Sequence, residues 1–246
     1  MALLEVKAVG KIFGGLRAVN EVSVAVGERE LVGLIGPNGA GKTTLFNLVT
    51  GHERPSHGEI FWLGQRIDGK RPHEVARRGL VRTFQNPMVF QKVSVKDNLS
   101  IAESARTKPL LPSLRERVID TCGLRPVLEQ KPENLPYGVK RRLGIALALL
   151  MEPRMLLLDE PAAGLNQAER VQLRELLEAL WKGGLALVVV EHDMKLVMSL
   201  CKRIVVLDAG QLIEDGPPDK VLSNPVVARI YLGKAKVKAG ADHAQP

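Results

Sequence analysis

The sequence predicts an α/β protein in which a mostly parallel sheet carries an antiparallel β subdomain and an inserted all-helical subdomain. Three observations lead to this prediction. The chain begins with short strand patterns, and its middle has the start and stop signals of helices. Two wholly apolar runs, at 155–158 and 185–190, are typical of parallel strands that are buried on both faces.

The first predicted strands are short and end at turns. Residues 4–9 and 22–26 alternate between apolar and polar side chains, which predicts strands with one buried face. Residues 59–63 form a further predicted strand. The run 30–35 leads into a glycine-rich turn, after which 42–50 has a helical pattern that a glycine ends. A strand, a glycine-rich turn and a helix therefore follow one another directly.

Helix signals dominate the middle of the chain. Ser94 marks one helix start, and Ser113 marks a second one as a capping box with Glu116. Gly123 is suited to end that second helix. After a proline-containing linker, a third helix is predicted over 137–151 and stops before the next proline.

Strands and helices alternate again in the last third of the chain. A helix between the two apolar runs begins at Asn166 and is amphipathic. Its predicted buried face consists of four leucines, namely Leu173, Leu176, Leu177 and Leu180. Residues 203–207 and 211–213 flank an Asp-Ala-Gly turn, which predicts a β-hairpin.

This order of segments predicts one domain over residues 1–233, in which a helical subdomain at about 87–152 is inserted into the α/β core. The remaining residues, 234–246, are polar and lysine-rich, and we expect them to be disordered. The sequence shows no internal repeat, so a solenoid or propeller is not expected.

Composition excludes several classes of protein. The 246 residues are 45% hydrophobic and 25% charged, which are ordinary globular values and argue against disorder or a collagen-like repeat. Cys122 and Cys201 are too few for a disulfide framework or a four-ligand zinc site, which suits a reducing compartment. The N-terminus lacks the pattern of a secretory signal, and the longest strongly apolar stretch, 143–151, is far too short to span a membrane.

The net charge of +8 leaves three kinds of partner open: nucleic acid, an anionic membrane surface and a small polyanion. The chain has five Phe, two Trp and two Tyr, which is few for an aromatic platform that stacks the bases of a single strand. Nucleic acid is therefore the least favoured of the three.

A phosphate-binding loop joins the strand at 30–35 to the helix after it. The segment fits the pattern G-x-x-x-x-G-K-[ST], in which glycines let backbone N–H groups turn toward phosphate oxygens at a helix N-terminus. Lys42 is expected to reach the β- and γ-phosphates, and the Thr43 hydroxyl to ligate Mg²⁺. The fold is therefore predicted to contain a P-loop NTPase core. The predicted nucleotide-binding residues of the loop are Gly36, Pro37, Asn38, Gly39, Ala40, Gly41, Lys42, Thr43 and Thr44.

Two carboxylates follow the apolar run at 155–158. Asp159 is placed to hold Mg²⁺, and Glu160 is placed to polarise an attacking water as general base. Carboxylates after a core strand also cap helices, so the pair alone does not decide. The phosphate loop elsewhere in the chain favours the catalytic interpretation.

These motifs resemble those of the nucleotide-binding subunits of ABC transporters, and the resemblance spans nearly the whole chain. In that family the phosphate loop is called Walker A and the acidic pair Walker B. Four further motifs appear in the expected order. They are a Q-loop at 83–85, a signature at 135–139, a D-loop at 164–166 and a switch-histidine loop at 190–193.

The resemblance implies roles for residues outside the Walker motifs. Gln85 would contact Mg²⁺ and the attacking water, and His192 would hydrogen-bond the γ-phosphate. Phe13 is at the position of the aromatic that stacks on adenine, with Val19 as an apolar neighbour. Taken singly, Gln85 also fits a loop residue, Phe13 a core ring and His192 a cap. Their order along the chain, together with the Walker motifs, favours the functional roles.

The signature departs from the usual Leu-Ser-Gly-Gly-Gln of the family. It consists of Leu135, Pro136, Tyr137, Gly138 and Val139. Pro136 replaces a serine whose hydroxyl would face a γ-phosphate, although proline near a helix start costs the helix little. The Gly138 N–H and the positive end of the helix are expected to remain available to an anion. An ATPase is therefore expected, while the changes at Pro136 and Val139 leave its rate open.

The Tyr-Gly pair in the signature resembles the branched-chain amino acid importers within the family, and the segments 81–85, 159–166 and 224–233 support that branch. The resemblance implies ATP-driven uptake of a polar solute, above all branched-chain amino acids, with ATP and Mg²⁺ as cofactors. Uptake of urea, amides or other solutes is one alternative. A non-transport ABC ATPase and a degenerate cassette are the others, and a GTPase is disfavoured because no Asn-Lys-x-Asp segment is present.

The family resemblance also implies partners. Such subunits form head-to-tail dimers, in which each ATP lies between Walker A of one copy and the signature of the other. Integral membrane permease subunits, a second ATPase subunit (the same or homologous) and, indirectly, a solute-binding protein are the expected partners. The chain would be peripheral at the cytoplasmic face of the inner membrane, where the segment 85–91 would receive a helix of the permease.

Overall fold

The computed structural model describes residues 2–106 and 109–231, which fold into two sheets and the helices around them. The predicted tail at 234–246 lies outside the described residues. The strands within these ranges are β1 (Ala2–Phe13), β2 (Leu16–Gly27), β3 (Leu31–Ile35), β4 (His57–Trp62), β5 (Gln65–Arg66), β6 (Leu80–Arg82), β7 (Met155–Asp159), β8 (Ala186–Val190), β9 (Arg203–Asp208) and β10 (Gln211–Gly216). The α-helices are α1 (Lys42–Val49), α2 (Pro72–Ala76), α3 (Val95–Ser104), α4 (Pro112–Thr121), α5 (Tyr137–Leu149), α6 (Gln167–Lys182), α7 (Met194–Leu200) and α8 (Pro218–Ser223).

The N-terminal strands form an antiparallel sheet in the order β2-β1-β4-β5. Val6 of β1 pairs with Val24 of β2 on one side and with Ile60 of β4 on the other. Both β1 and β2 extend beyond their predicted segments, because the pairing continues until Phe13 meets Leu16. The hairpin therefore places Phe13 at its tip.

The second sheet has the order β10-β9-β3-β8-β7-β6, in which β10 runs antiparallel to β9 and the other pairs are parallel. This arrangement confirms the predicted α/β class, with a mostly parallel sheet and an antiparallel β subdomain. Val190 of β8 pairs with Asp159 of β7 and with Leu34 of β3. The loops after these three strands therefore leave the sheet at one edge, where open α/β sheets bind ligands.

The strands β7 and β8 are buried on both faces, as their apolar sequences predict. Leu156 and Leu158 pack into one apolar cluster, whereas Met155 and Leu157 pack into a second cluster on the other face. The second cluster includes side chains of the antiparallel sheet and of α1. The second sheet thus separates two apolar cores. Packing on both of its faces fixes the position of the end of β7.

Helices α3, α4 and α5 lie between β6 and β7 in the chain. Ser94 caps α3 as predicted, since Asp97 N donates to Ser94 Oγ at 3.0 Å and Ser94 N donates to Asp97 Oδ2 at 3.2 Å. The predicted capping box at Ser113 is wrong. Helix α4 already begins at Pro112, whose fixed φ suits the first position of a helix.

Several short elements have no counterpart in the sequence-based prediction. These are β5, β6, α2, α7 and α8, which have between 2 and 7 residues and are too short for a periodicity to appear. The domain limits, 1–233 with an insert at about 87–152, remain a prediction. Among the described residues, no helix has both the length and the apolar character needed to cross a membrane.

Candidate functional site

A cleft of about 650 Å³ lies at the edge of the second sheet where β3, β7 and β8 end. The tip of the β1–β2 hairpin, the loop before α1 and the segments after β7 and β8 form its walls. The lining residues are Phe13, Leu16, Arg17, Ala18, Asn38, Gly39, Ala40, Gly41, Lys42, Thr43, Thr44, Glu160, His192 and Ala209. The fold therefore brings Phe13, residues 38–44 of the phosphate loop and the predicted catalytic residues Glu160 and His192 to one cavity.

The loop between β3 and α1 folds around the side chain of Lys42. Lys42 Nζ donates hydrogen bonds to the carbonyl oxygens of Gly36, at 2.7 Å, and Pro37, at 3.0 Å, and the residue is 5% exposed. Gly41, directly before α1, has a φ of 98°, and a Cβ on it would lie 2.4 Å from the carbonyl oxygen of Ala18. Only glycine tolerates this φ and this close approach without strain. Gly41 therefore allows the start of α1, which attracts anions, to lie at the cleft.

Phe13 is 44% exposed at the hairpin tip, so its ring is accessible from the cleft. Lys11 Nζ lies 4.8 Å from the centre of that ring. Val19 does not lie on the cleft surface as an apolar neighbour would; it is buried in the core, and residues 16–18 line the cleft instead. The fixed alternation of side chains along β2 turns Val19 toward the core.

Glu160 is the centre of the acidic end of the cleft. Its Oε2 accepts a hydrogen bond from Gln85 Nε2 at 2.8 Å, and its Oε1 lies 2.6 Å from His192 Nε2. The backbone of Glu160 has a φ of 45°, and its N–H donates to the Val190 carbonyl at 2.9 Å. The structure therefore brings together three side chains from separate loops, all of which the sequence singled out.

Asp159, buried beside Glu160, forms an ion pair that the sequence did not indicate. Its Oδ2 accepts a hydrogen bond from Arg82 Nη2 at 2.6 Å. Arg82 also donates to Asn47 Oδ1 at 2.6 Å, and its guanidinium lies 5.5 Å from the Phe46 ring and 5.2 Å from the Phe84 ring. Arg82 therefore holds the side chain of Asp159 in a fixed position at the end of β7.

The donor groups near the cleft suit a hard cation. Thr43, Gln85 and Asp159 offer a hydroxyl, an amide oxygen and a carboxylate, and Mg²⁺ is commonly held by one or two carboxylates together with substrate phosphates. Within the described ranges, no group of three or more His, Cys, Asp and Glu side chains could hold a metal on its own. The residues therefore fit a magnesium ion that arrives with a nucleotide.

Glu191 is a buried residue of this region that sequence reasoning missed. Its Oε1 accepts a hydrogen bond from Ala162 N at 2.6 Å, and its Oε2 accepts one from His192 N at 3.3 Å. Burial raises the pKa of the Glu191 carboxyl above its usual value. Glu191 thus joins the segment after β7 to the segment after β8. The sequence feature that could have indicated this residue is a carboxylate directly after an apolar strand.

The signature residues 135–139 do not line the cleft that contains the phosphate loop of the same chain. Pro136 is the residue before the first turn of α5, and Tyr137 is its first residue. The expectation that the Gly138 N–H stays available is wrong in this structure. Gly138 N donates to Glu169 Oε1 at 3.1 Å, and a Cβ on Gly138 would lie 2.6 Å from that oxygen.

The fold and this site define a P-loop nucleotide-binding domain. The chain belongs to the ABC transporter family, whose model, described as ABC transporter, matches residues 19–163. As a member of that family it is an ATP-binding cassette, with ATPase activity coupled to transport.

Relatives of the chain match it along almost its whole length. The high-affinity branched-chain amino acid transport ATP-binding protein BraF of Pseudomonas aeruginosa is 40% identical over 251 residues, covering 95% of this chain and 98% of the relative. The protein LivG of Escherichia coli, with the same description, is similar to the same extent. Among solved structures, the ADP conformation of MJ1267, an ATP-binding cassette of an ABC transporter, is 28% identical with a TM-score of 0.86, covering 95% of this chain and 99% of that chain.

Proposed function

We propose that this chain is the ATP-hydrolysing subunit of an ABC importer for branched-chain amino acids. The observation that carries the hydrolytic part is the contact of Glu160 with both Gln85 and His192 at the cleft. Support for the solute comes from the 40% identity, over 95% of the chain, to BraF and LivG, which are described as branched-chain amino acid transport proteins.

The phosphate loop binds the phosphates of the nucleotide. Its backbone N–H groups and the start of α1 attract the phosphate oxygens, and Lys42 moves from the Gly36 and Pro37 carbonyls to the β- and γ-phosphates. Phe13 stacks on adenine from the hairpin tip. These contacts bind ATP without performing chemistry on it.

Glu160 is the general base for hydrolysis. Gln85 and His192 each hold one carboxylate oxygen, so the carboxylate keeps one orientation at the cleft when a water lies against it. His192 also hydrogen-bonds the γ-phosphate in the bound state. Thr43, Gln85 and Asp159 would hold Mg²⁺, which neutralises charge on the phosphates when it is bound.

The placement of the signature outside the cleft supports a head-to-tail dimer. Residues 135–139 are then presented to the nucleotide of a second subunit, the same or homologous, so each complete site needs two copies. Closure and opening of this dimer are transmitted to integral membrane permease subunits, which contact the chain near the exposed side chains of Phe84, Met88 and Phe90. The chain is peripheral at the cytoplasmic face of the inner membrane, and a solute-binding protein acts on it only indirectly.

The test is a purification of the tagged chain from membranes together with its permease, followed by ATPase assays in vesicles. We expect a solute-binding protein loaded with leucine to stimulate hydrolysis, and the same assay with a urea- or amide-loaded protein to leave it unchanged. The E160Q complex, which keeps ATP binding but loses the base, is the control for contaminating ATPases. If only the urea- or amide-loaded protein stimulated ATP hydrolysis, the chain would belong to an uptake system for that solute. Equal ATPase activity of wild type and E160Q would refute the catalytic assignment of Glu160.

A further inference from the structure

Arg141 is a buried cation that no step of the proposed hydrolysis uses. It lies on α5, one turn after Tyr137 of the signature, and is 3% exposed. Taking a guanidinium out of water is costly unless it is fully hydrogen-bonded, and an apolar side chain of similar length would fill the same space at less cost. Its position therefore calls for an explanation beyond packing.

The guanidinium of Arg141 joins three motifs. Nη1 donates to the carbonyl oxygen of Phe84 in the Q-loop at 3.1 Å. Nη2 donates to the hydroxyl of Tyr137 at 3.0 Å and to the carbonyl oxygen of Ala163, next to the D-loop, at 3.4 Å. Nε has no hydrogen-bond partner among the residues that the structure describes, and burial lowers the pKa of Arg141.

Tyr137 contacts the same two loops from the signature side. Its hydroxyl donates to the Gln85 carbonyl at 3.4 Å, and its ring lies 5.3 Å from the Arg141 guanidinium carbon. The ring also packs against Gly164 of the D-loop, where a Cβ would lie 3.3 Å from it. The tyrosine that replaces a glycine of the usual signature is thus a contact between the Q-loop and the D-loop.

Both loops continue to Glu160, the Q-loop to its carboxylate and the segment before the D-loop to its backbone carbonyl. The side chain of Gln85 donates to Glu160 Oε2 at 2.8 Å, and Ala163 N donates to the Glu160 carbonyl at 3.2 Å. The two backbone segments that Arg141 holds are therefore the segments that contact Glu160 from either side. A shift of the Q-loop would move a hydrogen-bond donor of the Glu160 carboxylate, and a shift of residue 163 would move the backbone that carries this carboxylate.

We propose that Arg141 and the Tyr137 hydroxyl form a positioning pair, which holds the Q-loop and the D-loop in register with Glu160. The inference rests on the proposed hydrolysis of ATP. The Tyr-Gly signature then has a function of its own inside each subunit, in addition to its contact with the nucleotide of the second copy. Neither residue touches the reacting atoms, and both act through the backbone of residues 84–85 and 163.

The experiment compares Y137F, R141K, R141M and the double variant Y137F/R141M in steady-state ATPase assays of the complex with its permease. Each hydrogen bond lost from the pair is expected to lower kcat about two- to tenfold at an unchanged KM for ATP. R141K keeps the charge but not the forked geometry, so it restores kcat only in part. Because Tyr137 and Arg141 act along one path, the double variant is expected to be no slower than R141M.

R142M is the matched control. Arg142 is the next residue on α5 and donates to the Cys122 carbonyl at 3.1 Å and to Gln172 Oε1 at 2.7 Å, so it contacts the end of α4 and helix α6. Its kcat is expected to equal that of the wild type. Hydrogen exchange provides a second readout, in which the amides at 83–88 exchange faster in Y137F and unchanged in R142M.

Three results would overturn the proposal. One is a kcat equal to that of the wild type in both Y137F and R141K. This comparison can be made even if R141M fails to fold. Another is a double variant whose loss is the product of the two single losses. The third is a lower melting temperature with unchanged kcat and unchanged exchange at 83–88, which would make the pair merely structural. A wild-type complex that does not hydrolyse ATP, or that hydrolyses it no faster than E160Q, would instead refute the proposed function.

Discussion

The carboxylate of Glu169 joins the starts of two helices. Its Oε2 accepts a hydrogen bond from Asn166 N at the start of α6, and its Oε1 accepts one from Gly138 N at the start of α5. A negative group at a helix N-terminus is stabilising. In the proposed head-to-tail dimer, a γ-phosphate at the start of α5 would therefore have to displace Glu169 from Gly138 N.

We predict that E169Q lowers the ATP concentration needed for dimer formation by roughly two- to tenfold, since the neutral amide competes less well for the helix start. Glutamine also serves in a capping box, so the start of α6 is retained. Size-exclusion chromatography of E160Q against E160Q/E169Q over a range of ATP concentrations measures the effect. The exposed Glu175 on the same helix gives the matched control E175Q, and an unchanged or higher ATP requirement in E169Q would contradict the prediction.

Lys42 is held by two carbonyl oxygens of its own loop, which keeps its cationic end within the phosphate loop before a nucleotide binds. We predict that K42A weakens ATP binding by about ten- to a hundredfold, the usual range for loss of a hydrogen bond to a charged group. Isothermal titration calorimetry with ATP checks this, with K182A on the exposed end of α6 as control. Undiminished affinity in K42A would remove the Walker A assignment.

At this scale the sequence predicted which side chains converge but not which ones pair. The residues of the phosphate loop, Glu160 and His192 were recognisable from motifs, because each motif is a short local pattern. The pairs Arg82–Asp159 and Gly138–Glu169 join residues 77 and 31 positions apart, and no local pattern encodes such a contact. They become visible only when the fold is known.

At the scale of elements, the side chain of Glu214 on β10 contacts α8 and the residue that follows it. Glu214 Oε1 lies 2.7 Å from Lys220 Nζ, and its Oε2 accepts a hydrogen bond from Asn224 Nδ2 at 2.8 Å. The hydrogen bonds to Lys220 and Asn224 lower the pKa of Glu214 to about 2. The carboxylate therefore stabilises the folded chain whenever it is ionised.

We predict that the stability advantage of the wild type over E214Q depends on pH in a defined direction. Because the pKa in the folded chain, about 2, is below its ordinary value of 4.5, the advantage is complete above 4.5 and is lost as the pH falls toward 2. Urea denaturation of both proteins at several pH values between 7 and 3 measures it. A difference that stays constant over this range, or grows toward acid, would contradict the assigned ion pair.

The prediction of elements succeeded where apolar patterns were long. Strands β7 and β8 and the helix α6 have continuous or periodic apolar residues, and they occur as expected. The start of α4 was misplaced because a serine at position 113 and a proline at 112 both favour a helix start, and the proline prevails. Strand β5 is defined by its pairing with β4, and its two residues are too few to show an alternating pattern in the sequence.

At the scale of the whole molecule, each chain has the phosphate loop and Glu160 in one cleft and the signature, residues 135–139, outside it. The net charge of +8 is consistent with a partner that brings several phosphate charges. In the proposed head-to-tail dimer ATP contacts both copies, so slow hydrolysis would prolong the lifetime of the dimer. The oligomeric state should therefore depend on nucleotide.

We predict that E160Q is a monomer without nucleotide and a dimer with ATP, because it binds ATP but does not hydrolyse it. Light scattering coupled to size-exclusion chromatography measures the mass directly, and ADP in place of ATP serves as the control. E160Q/K42A, which lacks the binding lysine, is expected to stay monomeric under both conditions. A monomer of E160Q at every ATP and protein concentration would contradict the head-to-tail arrangement.

The separation of the signature from the phosphate loop has a consequence for inheritance of defects. If the proposed head-to-tail dimer forms from one copy damaged in Walker A and one copy damaged in the signature, both lesions fall on the same composite site. The other site then consists of two intact halves. Two inactive alleles would complement each other when expressed together, whereas two alleles with lesions in the same motif would not.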